Sequence, residues 1–357
     1  MPRDAFKCAS ALVLIVMLSV SVVAGQAATE MQQDAVPLDP IDAILGLFDS
    51  YSIVALGEGP HANWQGATFR LELIRHPRFS EKVNDIVVEF GTGRYQDIMD
   101  RYVSGETVPM DSVRLCWRET TQPVIWDAPV YAEFFAAVRD LNQSLAPGKR
   151  LRVLLADPPI DWSRIRTREE LEQWYYDHMP SRAWGKVNAR DGYAVDVVER
   201  EVLAKSRKAL AIAGDAHFNR ATFNPEMPGF MGAYFTGNFV HQLERMHPGS
   251  VVSITSIINV DSLEFRHPEV LSWPTPSLVH LKSTKIGSLK TFGPRALEET
   301  HDAVLWMGPS SLLSYSRLMP EVVENEEYYL EALRRDSLWM KQYQDVLRGL
   351  RSEYLGD

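Results

Sequence analysis

The chain predicts an α/β fold, a mainly parallel sheet flanked by helices, and three observations carry that expectation. Short, almost uncharged apolar runs recur at 52–56, 86–90, 151–156 and 209–213, the pattern of strands buried on both faces of a parallel sheet. Longer stretches with apolar residues at helical spacing lie between them. Each run also ends in glycine or a carboxylate, so strand and helix alternate. Right-handed crossovers then place the four strand ends on one edge, where ligands bind in open α/β sheets.

The 357 residues are 45% hydrophobic and 24% charged, an ordinary globular balance for one large domain or two modest ones. A formal charge of −10 without any clustered run of Lys and Arg disfavours a nucleic-acid partner. Arg3 and Lys7 precede an apolar run from Ala11 to Ala24 that only Ser19 and Ser21 interrupt. This reads as a secretory signal peptide cleaved around Gly25 to Ala28, because the run is short for a bilayer core of about 30 Å. The domain expectation is therefore a signal peptide over 1–27, a polar linker over 28–40 and a single domain over 41–357. The product is exported, periplasmic or secreted, with no stable membrane anchor after cleavage. Cys116 is then the one cysteine of the mature chain, which excludes an internal disulfide.

Taken in order, Ile41 to Phe48 is helical, and Ser52 to Leu56 is the first strand. Gly57, Gly59 and Pro60 break that strand, and helical patterning resumes at Gln65. Glu58 and His61 thus lie on a strand-to-helix loop. Ile86 to Phe90 forms a second strand carrying Glu89, followed by a helix from Tyr95 to Val103 and a segment with Trp117 and Arg118. Ala128 to Leu145 is a strong helix whose Tyr131, Phe134, Phe135, Val138 and Leu141 share one face. Leu151 to Ala156 is the third strand, closed by Asp157-Pro158-Pro159, where proline forbids further pairing. Helices follow over Ser163 to His178 and Asp191 to Lys208. Ala209 to Ala213 then runs straight into Gly214-Asp215-Ala216-His217.

Beyond Thr222, Pro225, Pro228 and Gly229 to Gly237 read as a loop or lid, with Phe230, Tyr234 and Phe235 available to line a pocket. Val251 to Ile258, Leu278 to Leu281 and Ala303 to Trp306 are further strands. Glu321 to Arg351 reads as a surface-lying terminal helix with Tyr328, Leu330, Leu333 and Leu338 on its buried side.

Four strand ends therefore terminate in acid or imidazole: Glu58 with His61, Glu89, Asp157, and Asp215 with His217. The set Gly57-Glu58-x-x-His61, Glu89 and x-x-His217 resembles the erythromycin esterase family, within a wider group that includes the haem-binding ChaN proteins and the Tiki metalloproteases. Arg139-Asp140-Leu141-Asn142, ahead of a strand ending in Asp157, resembles the family's Arg-x-x-Asn. Tyr95-Gln96 through Gly105 is closer to the ChaN pattern. Ala62 stands where the esterases usually have glycine, and Gly214-Asp215-Ala216-His217 stands for a His-Asn-x-His-like run. The likeness covers about residues 50 to 220.

What the resemblance implies is a hydrolase acting on a small-molecule ester, lactone or amide, and the N-terminal segment makes it an exported one. His61 is the candidate base, and Glu89 or Glu58 would orient it. His217 would protonate the leaving group or bind the oxyanion. Asp157, Asp215, Trp117 and Arg118 are candidates for substrate binding. No Gly-x-Ser-x-Gly elbow occurs, which argues against a serine nucleophile. The alternative is a metal- or haem-binding protein of the ChaN or Tiki type without esterase activity. Two histidines with two or three carboxylates suit zinc or manganese, although neither HExxH nor CxxC spacing is present. No Tyr or His is singled out as a haem ligand. A binding module with an inherited but dead site would use the same side chains structurally.

Overall fold

The computed structural model describes residues 32–221, 237–257, 267–290 and 294–356. Strands β1 (Ile53–Gly57), β2 (Asp85–Thr92), β3 (Arg152–Asp157), β6 (Ala209–Ala213), β7 (Val251–Ile257), β8 (Ser277–His280) and β9 (Ala303–Trp306) form one sheet in the order β3-β2-β6-β1-β7-β9-β8. Every neighbouring pair is parallel except β8 with β9. β4 (Ser181–Arg182) and β5 (Gly185–Lys186) make a separate hairpin. The predicted α/β class is the observed one.

Residue parity explains the layers. Val54, Leu56, Ile86, Val88, Leu210 and Ile212 face one side of the sheet and pack on the helices Trp64–Arg75, Gln96–Ser104 and Pro129–Ser144. Their strand neighbours Ile53, Ala55, Val87, Ala209 and Ala211 face the other side, against Ala189–Glu201 and Phe239–Met246. Side chains on a strand alternate between faces, and here both faces are covered, so an apolar run without polar alternation is the stable choice. Arg139 and Asn142 brace this scaffold: Arg139 donates to the carbonyls of Tyr102, Gly105 and Glu106, and Asn142 bonds Val103 and both backbone groups of Leu151.

Several boundaries differ from expectation for physical reasons. β2 runs on to Thr92, with a register shift against β3 between Val88 and Thr92, so Glu89 stands at an irregularity of the kind that re-aims a side chain. Part of the expected linker is docked: Leu38 donates to the Leu278 carbonyl at 2.9 Å on the outer edge of β8, and Gln33 donates to the Ser283 carbonyl at 2.9 Å just beyond that strand. The single terminal helix is three, Glu321–Glu324, Glu326–Leu338 and Gln344–Leu355. Buried Asp336 accepts the amides of Gln342 and Tyr343 and stops the second helix, and the last helix folds back so that Leu347 and Leu350 join Val322, Val323 and Tyr329 in one core. Leu330, expected inside, is exposed. The loop expected at Pro225 to Gly237, with Phe230, Tyr234 and Phe235, lies outside the described residues except for Gly237.

Candidate active site

β1 ends on Gly57 and delivers Glu58 into a buried setting, 1% exposed. Its carboxylate touches His61 Nδ1, Arg70 at 3.5 Å and the Tyr131 hydroxyl at 3.5 Å. Asn63 holds the connecting loop in shape: its amide donates to the carbonyls of Glu58 (2.8 Å) and Pro60 (2.6 Å), and its oxygen caps the next helix at Gly66 N (2.6 Å). Such a cap satisfies a helix-start amide that otherwise lacks a partner. Ala62 adopts φ +58°, the left-handed region that favours glycine. Its amide donates to the Tyr131 hydroxyl at 2.9 Å. The His61 ring meets the edge of Trp126 at 4.9 Å between centroids, and its side chain is 30% exposed. Among the described residues, no hydrogen bond to Nε2 of this ring is formed.

The neighbouring tips build the other half. Glu89 accepts from the Gly214 amide, from Arg190 Nη2 at 3.1 Å and from His217 Nε2 at 3.1 Å. His217 Nδ1 lies 2.7 Å from Asp191, and Arg190 Nε lies 2.9 Å from Asp157. Asp157 in turn accepts from the amide and hydroxyl of Thr121, both at 2.6 Å. The result is a buried chain of alternating charge, Asp157, Arg190, Glu89, His217, Asp191. Gly214 lies beneath the meeting point, and a Cβ there would come within 3.2 Å of His61 Cε1. Ligating atoms of Glu58, His61 and Glu89 lie within 4.8 Å of one another.

Glu58, His61, Glu89 and His217, singled out in the sequence, are thus brought together. Asp157 stands one shell back as the anchor of Arg190. Asp215 turns to β7, accepting from the Thr255 hydroxyl at 2.8 Å and the Ser256 amide at 2.9 Å. It also fills the space a Cβ on Gly57 would need, at 2.0 Å, and so braces two strand ends. Trp117 and Arg118, expected to bind substrate, sit elsewhere. Trp117 is buried and stacked on Phe135, while Arg118 pairs with Asp127 at 2.8 Å and covers the Tyr328 ring. The helix Met110–Arg118 presents its apolar side to the core, and this takes both side chains out of the cluster. Sequence reasoning missed Arg70, Tyr131, Arg190 and Asp191. The last two open the helix Ala189–Glu201 behind the Asn188 cap, and a charged pair at a capped helix start was the one local signal.

The surroundings set the charges. Burial drives the His217 pKa down, but Asp191 and Glu89 outweigh it and hold the group at about 10, an imidazolium at neutral pH. Burial opposes ionisation of Glu89, yet His217 and Arg190 hold its carboxyl far below the usual range. At His61, burial also works downward, and the adjacent Glu58 carboxylate, with Glu89 behind it, leaves the pKa raised. Burial pushes Asp215 up to about 6 against the Thr255 bond, and lifts Asp157 above its ordinary value despite Arg190.

A cleft of about 520 Å³ opens beside His61 and Ala62, walled by Ile125, Ala128, residues 315–318 and the helix Gln344–Leu355. No protein-family model and no curated protein matches the chain. The fold is similar to that of a succinoglycan biosynthesis protein, at 12% identity and a TM-score of 0.58 over 81% of this chain and 97% of that one. A protein from Bacillus cereus matches at 11% identity and 0.54, over 81% and 97%. A histidine-to-asparagine mutant of the erythromycin esterase EreC, in its open conformation, matches at 12% and 0.52, over 78% and 94%. The likeness is one of fold. No helix among the described residues is long and apolar enough to cross a membrane.

Proposed function

We propose that the chain is a hydrolase in which His61 is the general base for attack of water on an ester, lactone or amide. One observation carries this reading: of the ionisable groups in the cluster, His61 combines a carboxylate partner on Nδ1 with an Nε2 that takes no hydrogen bond among the described residues, in a side chain that is 30% exposed and lines the cleft. Glu89 is too strongly held in its charged form to be a useful base. Both ring nitrogens of His217 lie against carboxylates, which makes it a fixed cation that positions Glu89 and a poor proton donor.

In the step, the water oxygen bonds to the carbonyl carbon while its proton passes to His61 Nε2. The Glu58 carboxylate stabilises the imidazolium through Nδ1, as an orienting carboxylate does in other hydrolases. The same proton then moves to the leaving oxygen or nitrogen as its bond to the carbonyl carbon breaks. The fold similarity to erythromycin esterase is consistent with such chemistry. The test is turnover on a panel of ester, lactone and amide substrates, with and without chelator; a parent protein inert on all of them refutes the reading.

The proximity of Glu58, His61 and Glu89 supports a second reading, a divalent metal ion held by these three side chains. Glu89 already balances Arg190 and His217, so the ion would compete with two cations, and metal analysis of the purified protein decides. Export, with removal of the N-terminal segment, belongs to the same proposal; mass measurement of the protein from its host, finding an intact Met1, would refute it.

A further inference from the structure

We infer that the helix Gln344–Leu355 is the specificity wall of the cleft beside His61, and that the substrate carries a bulky, uncharged apolar body which lies along it. The inference rests on the hydrolase reading for its chemistry and on the cleft for its geometry. The walls near His61 include Ile125, Ala128, Leu318, Val346 and Leu350, and the volume of about 520 Å³ falls in the range of sites for drug-sized ligands. Tyr315 and Val346 line the cleft while remaining half exposed. The backbone joins this rim to further exposed apolar groups: Trp64 N donates to Ser314 O at 2.9 Å, next to Leu312 and Tyr315.

Gly349 adds an independent observation. It lies inside the terminal helix, where glycine lowers helix stability relative to alanine, and a Cβ built on it meets nothing within 4 Å. Packing does not require glycine here; what its missing side chain leaves is open space in the cleft it lines. The charged groups at the rim are already matched. Arg317 pairs with Glu353, and Arg348 lies 3.4 Å from Asp345. These pairs are solvent-exposed and worth little; what disfavours a charged body is the apolar lining of Ile125, Ala128, Leu318 and Leu350, against which a charge would be desolvated without a partner.

The experiment uses the full chain and trifluoroethyl esters, which keep the leaving group small, comparing acetate, butanoate, octanoate and an octanoate-length half-ester ending in a carboxylate. Each methylene buried contributes about fourfold, so kcat/KM should rise at least about tenfold from acetate to octanoate and fall again for the carboxylate. Gly349→Phe, which fills the cleft, should collapse the octanoate-to-acetate ratio toward one without lowering Tm. Tyr315→Ser, on an exposed position, should lower the same ratio and covers the case in which Gly349→Phe does not fold. A folded Gly349→Phe that keeps the parent's chain-length ratio overturns the inference while leaving hydrolysis standing. If the parent turns over no ester, the hydrolase reading fails, and calorimetry with a long-chain dialkyl ketone still tests the cleft. Binding by the parent and not by Gly349→Phe supports the inference; equal binding or none overturns it.

Discussion

His61 and His217 follow neighbouring strands, β1 and β6, and both lie in the field of Glu89, yet their surroundings differ. His217 is enclosed: Asp191 faces one ring nitrogen, Glu89 the other, and its side chain is 14% exposed. His61 has Glu58 on one nitrogen only, no hydrogen bond on the other among the described residues, and a side chain 30% exposed beside the cleft. The same residue type is therefore held protonated at neutral pH in one place, with a pKa of about 10, and is less strongly held in the other. What separates them is the number of carboxylates each ring meets, because each opposite charge a few ångströms away favours the protonated form.

The largest expected effect breaks the His61 side. His61→Asn keeps approximate size but cannot take the proton, so kcat should fall by about 10²- to 10⁴-fold, with Tm changed little because the ring is partly exposed. Activity and melting measured on one preparation check this; an equal loss in both would make His61 a brace.

Breaking the His217 side should be felt first as instability. Glu89→Gln removes the charge that Arg190 and His217 share, and unpairing a buried ionic network costs about 3–5 kcal/mol. Urea unfolding at neutral pH measures it, and an unchanged midpoint would mean that the network is not formed in solution.

Acidity sharpens the comparison. The acid limb of kcat/KM should lie above the ordinary histidine value of about 6.5, because Glu58 and Glu89 raise the His61 pKa. Glu58→Gln should move that limb downward by more than Glu89→Gln does, since Glu58 is the nearer carboxylate, and a limb that both variants leave in place would assign the titration elsewhere. For His217 the sign follows from a folded pKa of about 10 above an unfolded one near 6.5. Its contribution to stability is complete below the unfolded value and is lost as pH rises toward 10. The stability gap between parent and His217→Gln should therefore shrink from pH 7 to pH 10; a constant gap would deny the raised pKa.

The smallest effect concerns the loop that carries His61. Ala62 at φ +58° bears a left-handed strain that glycine would not, so Ala62→Gly should raise stability by up to about 1 kcal/mol after the flexibility of glycine is discounted. A lower unfolding midpoint would show that the Ala62 methyl packs more than it strains.

What the sequence determined by itself is the sheet and the edge on which chemistry gathers. Uncharged runs such as Ile53–Gly57 and Ala209–Ala213 can only be buried, their alternation with helices forces parallel crossovers, and Glu58, His61, Glu89 and His217 then meet at strand ends. Tertiary structure alone decided which polar residues join them. Arg190 and Asp191 come from a helix a hundred residues after Glu89, and they carry no periodic mark because a buried charge is specified by its partner and not by its own neighbours in the chain. The reverse held for Trp117 and Arg118, whose chemistry suited a binding site but whose helix faces the core. Nor could periodicity place Gln344–Leu355 over the cleft. The fold-back depends on Asp336 accepting two amides, a contact between side chain and turn that no hydrophobic pattern encodes.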